Sequence, residues 1–147
     1  MPDEVSNLKV NIKDSADPLG PYMIAFPKIG DTGLGYISVA EKTAIPFEIK
    51  RVYWTYFTPD SVIRGGHAHY ELEQVLVAVS GKITVTIKTP GQEALEFILD
   101  SPNSGLYIPK LAWRTMKYSH DAIQLCLASL PYDEKDYIRD HEVFMQL

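Results

Sequence analysis

From Ile83 the chain reads "ITVTIK", apolar and polar in strict alternation. A period of two puts Ile83, Val85 and Ile87 on one face of a strand and Thr84, Thr86 and Lys88 on the other. Segments rich in β-branched and aromatic residues predict further strands at "LKVNI", "YMIAF", "GYISVA", "FEIKRVYWTYF", "LEQVLVAVS", "ALEFIL", "GLYIPK" and "AIQLCLAS". Turn signals separate them: "TPDS", the Ser80-Gly81 pair, "TPGQE", "SPNSG" and "LPYDE". No segment carries a long helical stripe. Only the tail "YDEKDYIRDHEVF", acidic at its start, is expected to form a short helix. Many short strands at close spacing predict an all-β sandwich or small barrel. Residues 1–20 are more polar and less regular, as expected of an arm or a strand exchanged between subunits.

The 147 residues suit one domain, 1–147, with a real hydrophobic core. With 46% hydrophobic and 22% charged residues the composition is that of an ordinary soluble globular protein. No apolar run is long enough to span a bilayer, and "MPDEVSNLKV" lacks the basic-then-apolar pattern of a secretory signal. The single cysteine, Cys126, lies in an apolar run and is expected to be a small buried hydrophobe. One cysteine rules out an intrachain disulfide and fits a cytoplasmic location. A net charge of −5 without a basic block gives no reason to expect nucleic acid or a membrane as partner. An anionic small ligand would have to be held by locally placed arginines. That directs attention to Arg51, Arg64, Arg114 and Arg139, the four in the chain.

The stretch "RGGHAHYELEQ" puts two histidines on one face of a strand, behind a glycine pair and an arginine. Metal-binding jelly-roll barrels of the cupin type carry His-x-His, three or four residues, Glu, six residues and Gly; here His67 and His69 are followed by Gln74 and Gly81 at that spacing. Their second motif, Pro-x-Gly-x-x-His, is matched by "PKLAWR", with Leu111 in the glycine place and Arg114 in the histidine place. Glutamine is a weak neutral ligand, and a guanidinium has no lone pair for a metal. The set His67, His69, Gln74 and Arg114 is therefore expected to hold no metal and no cofactor. The competing alignment takes Glu73 as the carboxylate under the shorter spacing, and still leaves Arg114 opposed to a metal.

Without a metal, imidazoles suit proton transfer near neutrality and arginines suit phosphate. A mouth lined by both reads as proton transfer on a phosphorylated substrate, for which a keto sugar on a nucleotide diphosphate is a fitting class. The spacing does not identify the sugar.

Taken together, "IPFEIKRVYW", "RGGHAHYELEQVLVAVSG", "GLYIPKLAWRTM" and "LASLPYDEKDYIRD" resemble the dTDP-4-keto-6-deoxy-D-glucose 3,4-ketoisomerases over 45–144, roughly two thirds of the chain. The resemblance implies a metal-free, dimeric, cupin-type jelly-roll β-barrel that moves a keto group from carbon 4 to carbon 3 of a dTDP-linked 6-deoxyhexose, on the way to 3-amino sugars of surface polysaccharides. It implies His67 as the base that shuttles the proton, His69 as its support or the handler of the oxygen-bound proton, and Tyr53 as a group that polarises the enediolate. Arg64 and Arg114 are the expected diphosphate or sugar contacts, and Gln74 a neutral partner in the cavity. Lys50 and Arg51 are sent to opposite faces by alternation, leaving open which points inward. Arg139 and the tail are expected to be structural. The sequence departs from the family in "GDTGLGYIS", where a tyrosine or arginine before a glycine is replaced by glycine or threonine. In the family that residue and the one at Arg114 help set the configuration at carbon 4; Arg114 leans towards gluco.

Two other classes compete: a metal-dependent cupin enzyme, and a non-catalytic module that binds a nucleotide sugar without turnover. An epimerase acting on the same keto sugar is a nearer neighbour. A homodimer is expected both from the resemblance and from the long "FEIKRVYWTYF" run, an edge that needs covering.

Overall fold

The computed structural model describes residues 20–147. The arm expected over 1–20 and the strand at "LKVNI" lie outside the described residues, apart from Gly20. Two five-stranded antiparallel sheets face each other across the core. The first runs in the order β1 (Tyr22–Ala25), β9 (Ser104–Ile108), β6 (Gln74–Ser80), β11 (Ile123–Ala128), β4 (Arg51–Tyr56). The second runs β12 (Tyr137–Ile138), β5 (Ile63–His69), β10 (Trp113–Tyr118), β7 (Ile83–Lys88), β8 (Leu95–Leu99). A separate hairpin, β2 (Lys28–Asp31) and β3 (Gly35–Ser38), pairs only with itself, and all eight of its residues are exposed. This is the all-β sandwich expected from the strand pattern, in the jelly-roll form that the resemblance implies.

Alternation decides which side chains meet. Ile83, Val85 and Ile87 point inward and are fully buried, as their spacing predicts, against Leu76, Phe97, Leu106 and Cys126. Strand β4 inverts the usual rule. Its inward residues are Arg51, Tyr53 and Thr55, and its outward ones Val52, Trp54 and Tyr56. A strand polar inside and apolar outside marks a functional interior and an outer face suited to contact.

Three strands were not among those expected. In β10 the inward set is Arg114, Met116 and Tyr118, so a cation on the core face hides the period. β2 is short, exposed and glycine-containing, and β12 has two residues, too few for any periodicity. The tail is not one helix. A 3-10 turn (Glu134–Asp136) leads into β12, and then into α1 (His141–Met145), capped by the Asp140 side chain accepting from Glu142 N at 2.9 Å. Phe144 of α1 packs on Ile138 and on Ala68, the outward residue between the two histidines.

The glycine pair before the histidines forms a β-bulge. Arg114 pairs with His67 and Thr115 with Gly65, so Gly66 has no opposite residue. Both glycines have positive φ, and a Cβ on Gly65 would lie 2.7 Å from the Arg114 carbonyl oxygen. The bulge turns the strand so that His67 faces Arg114. Among the described residues, no helix is long and apolar enough to cross a membrane.

Candidate active site

A cavity of about 190 Å³ opens at one end of the barrel, and Tyr53, Arg64, His67, Gln74 and Arg114 all line it. Arg51 and Tyr137 line it too. Inward alternation of β4 thus selects Arg51 over Lys50. Among the described residues the wall carries three guanidinium groups and no carboxylate. In a chain of net charge −5 that is a local anion receptor.

Arg114 sits at the cavity floor, 1% exposed. Its Nη1 donates to Gln74 Oε1, its Nε donates to the Ala112 carbonyl at 3.0 Å, and its Nη2 is buried without a partner. Burial lowers its pKa to about 10, which leaves it cationic at neutrality. Because Gln74 accepts from Arg114 with its oxygen, its Nε2 is the donor to Tyr53 Oη, at 2.9 Å, and also reaches Cys126 Sγ at 3.3 Å. Tyr53 therefore accepts from Gln74 and keeps its own proton to give. Burial raises the Tyr53 pKa further, so it stays a phenol and a donor.

The two histidines differ in environment. His67 is half-buried and lines the cavity; His69 is 1% exposed and does not. Their rings stand edge to face with centroids 5.0 Å apart, and Tyr137 packs against both, at 5.0 Å from His67 and 4.3 Å from His69. Burial first, and the Arg114 charge second, lower the His67 pKa to about 4. The same two causes lower His69 to about 2. His69 Nδ1 lies 3.1 Å from Asp136 Oδ2. We take this contact as a neutral imidazole donating to a carboxylate, because the depressed pKa leaves no proton for an ion pair.

Tyr137 and Asp136 were missed as functional residues in the sequence, which left Arg51 open between two faces. Tyr137 and Asp136 arrive through β12, whose Tyr137 pairs with His69. Their signal was the tail motif "PYDEKDYIRD", which had been assigned to packing. Arg139 is exposed, bonded through Nε and Nη2 to Glu134 and stacked 4.1 Å over the Tyr137 ring, so it acts on the site only through neighbours.

The donor set does not suit the metal of a metal-binding cupin. Arg114 presents a cation where the last ligand would stand, and Gln74 is occupied by it. Glu73, the alternative carboxylate, turns away and accepts from Tyr107 Oη at 2.6 Å. Leu111, in the glycine place of the second motif, takes a left-handed φ of 56° and donates its N–H to the His69 carbonyl at 2.7 Å. The backbone of the motif is kept while its metal chemistry is replaced.

The WxcM-like, C-terminal (FdtA) family matches residues 20–147. The TDP-4-oxo-6-deoxy-α-D-glucose-3,4-oxoisomerase of Aneurinibacillus thermoaerophilus is 43% identical over 123 residues, covering 83% of this chain and 88% of that protein. The crystal structure of a 3,4-ketoisomerase from Helicobacter canadensis superposes with a TM-score of 0.80 at 40% identity, covering 86% of this chain and 95% of that one. The sugar 3,4-ketoisomerase QdtA from Thermoanaerobacterium thermosaccharolyticum, in complex with TDP, gives a TM-score of 0.82 at 37% identity, covering 86% and 93%. The fold, the two-histidine strand and these likenesses together show that the chain belongs to the WxcM-like, C-terminal family and, within it, to the sugar 3,4-ketoisomerases.

Proposed function

We propose that the protein is a 3,4-ketoisomerase acting on TDP-4-keto-6-deoxyglucose. The observation that carries the reading is one cavity lined by a neutral, half-buried imidazole and three guanidiniums. His67 takes the proton from carbon 3, and the electron pair moves into the bond between carbons 3 and 4. The old carbonyl oxygen becomes that of an enediol(ate), held by the Tyr53 hydroxyl and the Arg114 guanidinium. The hydroxyl proton passes from the oxygen on carbon 3 to the oxygen on carbon 4, and reforming a carbonyl at carbon 3 then draws the proton back from His67 onto carbon 4. Atoms and electrons balance without any redox partner. Arg51 and Arg64, less buried than Arg114, receive the diphosphate, for which planar guanidiniums are suited. Gln74 orients both Arg114 and Tyr53.

The enzyme works as a homodimer. Support comes from the apolar outer face of β4, an edge strand, and from the β2–β3 hairpin, which finds no sheet partner in its own chain. A cytoplasmic location is supported by the free, buried Cys126.

The test is carbon-13 NMR of chelator-treated protein with TDP-4-keto-6-deoxyglucose. A carbonyl moved from carbon 4 to carbon 3 is the expected result. An unmoved carbonyl, with TDP bound by calorimetry, would make the protein a binding module. Turnover only after metal is restored would make it a metal cupin.

A further inference from the structure

We propose that Asp136 is a positioning residue for the histidine pair: its carboxylate fixes the tautomer and ring plane of His69, and the His69 ring in turn holds the plane of His67. The consequence for rate rests on the isomerase reading; the consequence for tautomer rests on geometry alone.

The Asp136 carboxylate meets three donors. Oδ1 accepts from Glu71 N at 2.8 Å; Oδ2 accepts from Leu72 N at 3.1 Å and lies 3.1 Å from His69 Nδ1. An ionised carboxylate can only accept, so the Nδ1 of His69 must carry the proton. The lone pair is thereby placed on Nε2, which is buried with no partner. The opposite tautomer would set two lone pairs against each other at Nδ1, in a site too dry to screen them.

The ring of His69 is then held on several sides. Asp136 grips one edge, Tyr137 packs on it at 4.3 Å, and His67 stands against it at 5.0 Å and 85°. An imidazole turns broadly about its second side-chain torsion unless its surroundings stop it. His67 is hydrogen-bonded to the Gly65 backbone and has Tyr137 and His69 as its ring neighbours, so His69 supplies one of the supports that fix its plane. Strand β12, only two residues long, sets Asp136 beside its partner by pairing Tyr137 with His69.

A purely structural role is the competing account, since Asp136 also ties down the turn after β5 through Glu71 and Leu72. Ser129 offers the control. Its hydroxyl accepts from Glu73 N at 2.8 Å and braces the same turn without touching a histidine.

The experiment combines nitrogen-15 NMR of the histidine rings with steady-state kinetics of Asp136→Asn and Ser129→Ala. In the unaltered protein His69 is expected as the Nδ1–H tautomer; the Nε2–H form there would overturn the proposal even if no variant folds. Asp136→Asn is expected to mix the tautomers and to lower kcat by about 10- to 100-fold, with KM and TDP affinity within about twofold. Ser129→Ala is expected to lower thermal stability and leave kcat within about twofold. Equal loss of kcat in both variants at equal loss of stability would assign Asp136 a structural role only. If the unaltered protein converts no keto sugar, the isomerase reading fails, and the tautomer measurement still decides the positioning claim.

Discussion

His67 on β5 stands directly opposite Arg114 on β10, the pair brought into register by the Gly65-Gly66 bulge. The base candidate thus shares its wall with a permanent buried cation. Burial and that charge draw the His67 pKa down to about 4, so the ring is neutral and ready to accept a proton across the physiological range. A weak base can abstract a carbon-bound proton only if the enediolate is strongly stabilised, which is the work assigned to Tyr53 and Arg114.

This relationship is open to titration. Proton NMR should find His67 titrating near pH 4 rather than near 6.5. In Arg114→Gln the midpoint should move up, because a like charge has been removed. An unaltered midpoint in that variant, or a midpoint near 6.5 in the parent, would contradict the electrostatic account.

Stability should depend on pH with a definite sign. Both histidines have folded pKa values below the unfolded value of 6.5, so the unfolded chain binds more protons as pH falls. Stability is therefore lost as pH drops below 6.5, with His67 contributing until about 4 and His69 until about 2. Between pH 6.5 and pH 5 each histidine should cost on the order of 2 kcal/mol. Urea midpoints at pH 7.5, 6 and 5 measure it; a midpoint constant over that range would refute the buried-neutral assignment.

Two substitutions should create a metal site in this barrel. His69 already has a carboxylate on Nδ1 and a free Nε2, the arrangement that orients metal-ligating imidazoles. Replacing Gln74→Glu and Arg114→His together supplies the missing carboxylate and imidazole and removes the cation. The double variant should retain about one divalent ion per chain after dialysis, by elemental analysis, where the parent retains well under about a tenth. A folded double variant without metal would show that ligand chemistry alone does not separate this barrel from its metal-binding relatives.

The outer face of β4 predicts association. Trp54 is 60% exposed in the single chain, beside Val52 and Tyr56. Light scattering at micromolar concentration should give a dimer, and Trp54→Asp should shift it towards monomer by desolvating a charge in the contact. A monomeric parent protein would remove the dimer from the account.

The legible part of the molecule was its period-two core. Ile83, Val85 and Ile87 announced their strand and lie where alternation put them. The histidine strand was legible through a motif with two telling replacements, Gln74 and Arg114. β10 was not, because a buried Arg114 on its inward face looks polar until Gln74 and Ala112 are seen to satisfy most of it. Asp136 and Tyr137 were hidden for a different reason. Their role is made by a two-residue strand pairing across 68 positions to His69, and no local pattern encodes a contact of that range. Arg51 could be narrowed to one of two faces; only the inward set of β4 chose it.

The most direct measurement is proton NMR of TDP-4-keto-6-deoxyglucose incubated in heavy water with the parent protein and with His67→Gln. The account predicts a 3-keto product carrying deuterium at carbon 4 from the parent, with the coupling constants there giving its configuration, and no product from His67→Gln although TDP still binds. Deuterium at carbon 3 with the keto group unmoved, or full turnover in His67→Gln, would contradict it.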